Sequence, residues 1–373
     1  MQQSGTLFIG SEIYRGSSYG PKHPLRVPRV STVIDLGRAL GLLAGRYRAS
    51  PRAKPAALTA FHHPAYIAAL QEAEATGDLP PAARARFHLG SLSNPIFPQI
   101  YSRPATGAGG VLLAAELLAK GGAIYVPGGG THHGMADRAN GFCYLNDPVL
   151  AILALRRAGH RVAYVDLDAH HCDGVEAGLA GAEGVLLISV HEAARWPFTG
   201  ATGQRGNCVN LAVPAGYHDS EARMVLHELI LPLLQAFKPD AIVLQAGADS
   251  LLEDPLSRLA LSNNAYVEAL RAITPLAPRL LLLGGGGYNP WSVGRCWTRL
   301  WAELSGQELP EVLPEPARAV LMGLSWGGGG RPLPEAGQLT TLFDPAREGR
   351  VNARLRAEVA ALRQGFAQIS GLG

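Results

Sequence analysis

Cysteine is scarce in this chain. Its 373 residues hold four, Cys143, Cys172, Cys208 and Cys296, and no two stand at C-x-x-C spacing. That leaves neither a disulfide framework nor a C-x-x-C metal or redox motif, and the four read as reduced intracellular thiols. Blocks of five or more like charges are also missing, and the formal net charge is only +3. No nucleic-acid partner is expected. No apolar run approaches membrane-spanning length, and the start MQQSGTLFIG has neither the basic flank nor the apolar stretch of a signal peptide. The expectation is a cytoplasmic protein with no membrane partner.

What is present is ordinary for a globular fold: 47% hydrophobic and 17% charged residues, enough for a sizeable core. The 45 glycines and 27 prolines suit a loop-rich enzyme better than a helical bundle. Short apolar runs at 6–11, 123–126, 161–168, 185–190, 241–245 and 279–283 read as strands. Helical spacing falls between them at 31–43, 64–75, 106–119, 149–157, 220–237 and 264–274. Strands alternating with helices predict an α/β fold, an open and mostly parallel sheet with helices on both faces, which binds ligands beyond the carboxyl ends of its strands. Residues 309–337 hold five prolines and the glycine run 327–330 and read as surface loop, with no phosphate cradle. An amphipathic helix over 347–369 closes the chain.

One stretch organises the rest. In YVDLDAHHCDG, residues 164–174, side chains of an extended chain alternate, so Asp166 and Asp168 share a face that His170 can extend. Alone, D-x-D-x-H is as compatible with a turn and helix cap as with a metal site. Other strand ends tip the balance. His132 and His133 follow one strand, Asp249 follows another, and Tyr288 follows a glycine-rich turn after a third. These groups must converge, so the chain is expected to be one domain, 1–373, with a core over about 6–306 and a proline-rich loop plus helix over 307–373.

Asp168, His170 and Asp249 then make three ligands for one divalent ion, a set that suits zinc and leaves a position open for water. His132 and His133 can serve as general base and acid, with Asp166 and Asp173 available to fix their tautomers. The Tyr288 hydroxyl can donate to a developing oxyanion. His62, His63, His171 and Cys172 are expected to be structural, as are Cys143, Cys296, Trp291 and Trp297.

The segments PGGGTHHGMADRANGFCYLND, YVDLDAHHCDG, LQAGADSLLEDPLSRLALS and LGGGGYNP resemble the zinc-dependent histone deacetylase superfamily, above all its bacterial histone-deacetylase-like and acetoin-utilisation members. The resemblance runs from about Tyr14 to Gly306 and implies the arginase-like fold. By position it implies zinc, or iron(II), on Asp168, His170 and Asp249, and pairs His132 with Asp166 and His133 with Asp173. It places the transition-state tyrosine at Tyr288. It implies an acyl-lysine tunnel lined by Gly141, Phe142, Phe198 and Gly286, and an acetate channel past Arg29, for which a buried structural ion pair is the equal alternative. A monovalent cation, K+, is implied at Asp166, Asp168, His170, Ser189 and Val190. Where eukaryotic members carry a rim aspartate that clamps the substrate backbone, the matching stretch IYSRPAT offers Ser102.

The implied activity is a zinc-dependent hydrolase removing acetyl groups from N-acetylated amines, with acetyl-lysine in proteins or peptides as substrate and a monomer as the expected state. A deacetylase of acetylpolyamines or other small acetylated amines is the alternative, and a catalytically silent acetyl-lysine-binding module a second. A dinuclear ureohydrolase of the same fold would need more bridging carboxylates.

Overall fold

The computed structural model describes residues 5–327, 331 and 333–369. Nine strands form one sheet: β1 Thr6–Gly10, β2 Tyr47–Ala49, β3 Gly122–Val126, β4 Val162–Asp166, β5 Val185–Glu192, β6 Gly203–Arg205, β7 Cys208–Val213, β8 Ala241–Gln245 and β9 Arg279–Leu283. Their spatial order is β2-β1-β3-β9-β8-β4-β5-β7-β6. Every neighbouring pair is parallel except β6 with β7.

The central strands are apolar throughout because both of their faces are covered, as parallel sheets require. Ala163, Val165, Ile242, Leu244, Leu280 and Leu282 point to one side. They meet the helices Val30–Ala39, Asn263–Ile273, Pro290–Ser305 and Ala353–Ile369 there. Val162, Tyr164, Ala241, Val243, Leu281 and Leu283 point to the other, against the helices Ser102–Leu117, Asp147–Arg157 and Asp173–Leu179. This is the α/β architecture that the alternation predicts.

Sheet order brings the site together. β3, β9, β8 and β4 are consecutive neighbours, and their registers pair Val126 with Leu283, Leu283 with Gln245, and Gln245 with Asp166. The carboxyl ends of these four strands therefore stand level in one row. Residues 127–133, 284–288, 246–250 and 166–173 leave that row side by side, although the chain reaches them far apart in sequence.

Two expectations change. The 309–337 stretch is not all loop: Glu315–Met322 is a helix, and Leu313, Ala317 and Leu321 are buried with Val27, Leu36 and Trp291. Its prolines do not prevent this, because Pro314 caps the helix and Pro316 lies in its first turn, where the missing N–H has no helical partner to lose. Of the glycine run 327–330, only Gly327 lies within the described residues. The strand expected over 185–190 runs on through His191 to Glu192 as β5. Among the described residues no helix is long and apolar enough to cross a membrane.

Candidate active site

Beyond β4 the backbone turns so that three side chains face one point. Asp168, His170 and Asp249 are all buried, and one donor atom from each lies within 4.8 Å of the others. His170 Nδ1 is 2.9 Å from Asp249 Oδ2 and 3.1 Å from Asp168 Oδ1. Backbone N–H groups hold the carboxylates in place. Ala169 donates to Asp249 Oδ1 at 3.0 Å, His170 to Asp168 Oδ1 at 3.0 Å, and Gly286 to Asp168 Oδ2 at 2.6 Å. Glycine is required beside them: a Cβ on Gly247 would collide with the Asp168 carboxylate, and one on Gly286 with that of Asp249.

The charges of this cluster fit a divalent cation. Burial opposes a charged His170, yet Asp168 and Asp249 outweigh it and push its pKa up to about 10. Burial and the nearby Asp168 raise the Asp249 carboxyl. Burial would raise Asp168 too, but His132 and His170 hold it below the usual carboxylate range. A proton on His170 thus balances what two convergent carboxylates leave unbalanced, and a metal ion would displace it. The geometry and the donor set make these residues a metal site.

Two histidines flank it, each backed by a carboxylate. His132 Nδ1 lies 2.7 Å from Asp166 Oδ2, and His133 Nδ1 2.6 Å from Asp173 Oδ1. Asp166 is fixed by the Tyr164 hydroxyl at 2.5 Å and the Asp168 amide at 3.0 Å, and Asp173 by the Asn140 side-chain amide at 2.9 Å. The two imidazoles are pushed apart. Burial opposes the charge on His132, but Asp166 and Asp168 raise its pKa to about 9; burial and the charge of His132 lower that of His133 to about 4. Tyr288 is buried, its backbone N–H held by Asp254 Oδ2 at 2.6 Å. Burial, with Asp249 beside it, drives its hydroxyl far above the ordinary phenol range, so it remains a donor.

Two cavities meet here. An outer one is lined by Ser93, Gly141, Phe142, Arg195, Trp196 and Leu256, with His133, His170 and Tyr288 at its floor. An inner one lies past Gly286, Asp168 and His132 and reaches Arg29, Arg103 and Tyr14. Gly141 and Phe142 both have positive φ, 51° and 68°, and a Cβ on Gly141 would collide with the Trp196 indole.

Some expected residues sit elsewhere. Phe198 is 74% exposed and absent from the cavity lining; Trp196 forms that wall, its ring 4.6 Å from His133. The loop turns through positive φ at Ala194 and at Phe198 (62°), which swings the phenyl outward, and nothing in residue spacing signals this. Ser102 is no rim residue. It is buried in the first turn of its helix, where its N–H bonds Glu74, and the serine at the cavity is Ser93. Ser189 lies beside Asp166 in the neighbouring strand, with its hydroxyl 2.9 Å from His191 Nδ1, and Val190 follows it in β5. Arg29 donates to the Gly285 carbonyl at 2.6 Å and lies over Trp297; among the described residues it has no carboxylate partner, so it is not half of an ion pair. His62 accepts from the Asn146 amide, His63 caps the 64–76 helix, and His171 bonds Glu176 and Thr199, away from the metal cluster. Sequence reasoning missed Trp196, Ser93, Arg195 and Arg103. A tryptophan two residues before the expected tunnel aromatic Phe198 in RWPFTG was the available sign of the first.

A family model for the histone deacetylase domain matches residues 23–304. Histone deacetylase 9 of Arabidopsis thaliana is 35% identical over 313 residues, covering 80% of this chain and 73% of that one. Histone deacetylase 8 of Xenopus tropicalis is 35% identical, covering 78% and 82%, and the acetoin utilization protein AcuC of Bacillus subtilis 32%, covering 83% and 84%. The crystal structure of a histone deacetylase homologue from Aquifex aeolicus superposes with a TM-score of 0.92 at 34% identity, over 96% of this chain and all of that one. A homologue complexed with SAHA gives 0.89 at 33% identity, over the same shares.

Proposed function

The chain belongs to the histone deacetylase family, and from that premise we propose that it is a zinc-dependent deacetylase of acetyl-lysine in peptides or proteins, acting as a single catalytic domain over 1–373. One observation carries the proposal: the Asp168, His170 and Asp249 cluster, both His–Asp pairs and Tyr288 meet where the two cavities join. Zinc held by those three residues, or iron(II) in its place, would supply a Lewis acid for the amide carbonyl and lower the pKa of the attacking water. Tyr288 donates its hydroxyl to the carbonyl oxygen as that oxygen gains charge. His133, which lines both cavities, accepts a proton from water and returns it to the amine as the carbon–nitrogen bond breaks. Water oxygen joins the acyl carbon, so the products are a free amine and a carboxylate. His132, farther inside, adds positive charge near the reacting carbon, while Asp166 and Asp173 hold both rings in place. Gly141, Phe142 and Trp196 form the tunnel walls, and K+ beside Asp166, Asp168, His170, Ser189 and Val190 would support the loop that carries the ligands.

The outer cavity favours a peptide over a polyamine. Among the described residues its lining holds no carboxylate that could grip a polycation, and its one guanidinium, Arg195, is already paired with Glu192 at 2.7 Å. An acetyl-lysine side chain passing between Phe142 and Trp196 needs no such grip. A silent reader is disfavoured because it has no use for Tyr288 and two His–Asp pairs. The test is amine release from a panel of acetyl-lysine peptides and acetylpolyamines. Turnover of peptides by at least tenfold in kcat/KM supports the reading, and turnover of polyamines alone refutes it.

A further inference from the structure

Two separate loops wall the outer cavity, and one buried carboxylate holds both. Arg195 and Trp196 come from the loop after β5, and Leu256 from the segment that follows Asp249. Glu192, the last residue of β5, lies between the two and is 5% exposed. Its Oε1 accepts from Arg195 Nη2 at 2.7 Å. Its Oε2 accepts from Arg195 Nε at 2.7 Å and from the Arg258 backbone N–H at 2.9 Å. One side chain thus ties the neighbour of Trp196 to the segment that carries Leu256.

The tie is built to hold a distance. A guanidinium fork on a carboxylate is both stronger and more directional than a single hydrogen bond, and little water reaches this one to compete. Its base is fixed to the metal cluster, because the Glu192 backbone N–H donates to the carbonyl of Ala169, beside His170, at 2.9 Å. The far ends of both loops are pinned as well. Thr199 Oγ1 lies 2.8 Å from His171 Nδ1, and the Gly200 carbonyl 2.7 Å from His191 Nε2. In the other segment the Leu256 N–H donates to Asp254 Oδ1 at 2.9 Å, and the Ser257 hydroxyl to the Asp249 carbonyl. What Glu192 controls is therefore the short span between these pins, where Trp196 and Leu256 stand.

We propose that Glu192 is a positioning residue that sets the gap between Trp196 and Leu256, so that the outer cavity selects an acetylated amine on a straight methylene chain over one on an aromatic arm. This rests on the reaction proposed above and assigns part of its selectivity to a residue outside the cavity lining. A straight chain gains dispersion contact from apolar walls held close to it. Walls free to part lose that contact and make room for a wider arm, so the preference between the two falls.

The test compares kcat/KM of zinc-loaded enzyme for an acetyl-lysine peptide and for the same peptide carrying acetylated para-aminomethyl-phenylalanine instead. Wild type should prefer the lysine peptide. Glu192→Gln keeps the size of the side chain but loses the charge that holds both Arg195 nitrogens. It should raise KM for the lysine peptide about 10-fold with a smaller change in kcat, and cut the preference about 10-fold. A role in folding alone would lower turnover of both peptides alike, so an unchanged preference overturns the proposal. If Glu192→Gln does not fold, Arg195→Met opens the same pair from its outer end and should shift the preference in the same direction; no shift there overturns it too. Calorimetric affinities for two hydroxamates, one on a straight alkyl linker and one on an aromatic linker, give the ratio without turnover. A Glu192-dependent ratio in a protein that deacetylates nothing would sink the proposed reaction and leave the clamp standing. Turnover with a Glu192-independent ratio would do the reverse.

Discussion

Trp196 meets His133 edge to face, ring centroids 4.6 Å apart and planes at 75°, so the aromatic wall of the outer cavity and the imidazole at its floor form one contact. Trp196 also lies 6.3 Å from the His170 ring. A side chain that confines the substrate therefore also confines a candidate base and a metal ligand.

Removing the indole should loosen both. Trp196→Ala is expected to raise KM about 10-fold and lower kcat by a smaller factor, because the wall is lost while His133 stays tethered to Asp173. Phe198→Ala, at a side chain 74% exposed, should leave both constants within twofold. Steady-state kinetics on the two variants check this, and the opposite ranking would restore Phe198 to the tunnel.

Tyr288→Phe keeps the ring and its packing against Phe142, and removes only the donor. The loss of one oxyanion donor costs roughly 10²- to 10³-fold in kcat, about 3 to 4 kcal/mol, with KM little changed. Single-turnover rates measure the step directly. Near-wild-type rates would remove Tyr288 from the chemistry.

Asp249→Asn conserves shape and the hydrogen bond from the Ala169 amide but removes one of two anionic ligands. Metal retention should fall at least 10-fold in a competition with a chelator, read by metal content after gel filtration. Unchanged retention would take Asp249 out of the ligand set.

Glu176 gives a stability prediction away from the metal. The hydrogen bond from His171, aided by Asn210 and Arg205 against the cost of burial, lowers its pKa from 4.5 to about 2. A depressed carboxylate pKa contributes stability that is present above the unfolded value and lost as pH falls from about 5 towards 2. Glu176→Gln should therefore cost ~1 to 3 kcal/mol at neutral pH, reduced from the full linkage value because the group is half-buried, and flatten the acid limb of the stability profile. Denaturant titrations between pH 3 and pH 7 test it; parallel profiles for the two proteins would contradict it.

The parts of this fold visible in sequence are those that obey a period. β3, β4, β8 and β9 are apolar runs because they are covered on both faces, and each ends where glycine, proline or polar residues begin, so strand, site and topology class could be read together. Helix Pro290–Ser305 is absent from that reading although Ser292, Arg295, Arg299 and Glu303 recur along it at helical spacing; its glycine and three tryptophans are weaker helix formers, and all of these polar residues but Glu303 are buried. Glu315–Met322 was hidden by prolines at the helix start, where they are tolerated. Trp196 and Ser93 escaped for a third reason. Their orientation comes from loop geometry, including positive φ at Ala194 and Phe198, which follows from how three loops pack around a cavity and not from any local spacing. Ser102 illustrates the same limit: it lies within a stretch that resembles the rim of related proteins, but the fold buries it beneath Glu74.

Metal stoichiometry tests the central claim most directly. Enzyme stripped with a chelator and titrated with zinc should regain deacetylation of an acetyl-lysine peptide in proportion to metal added, reaching its plateau at one equivalent per chain, with a hydroxamate abolishing the regained activity. Full activity in stripped enzyme, or a plateau only at two equivalents, would contradict a single-metal deacetylase built on Asp168, His170 and Asp249.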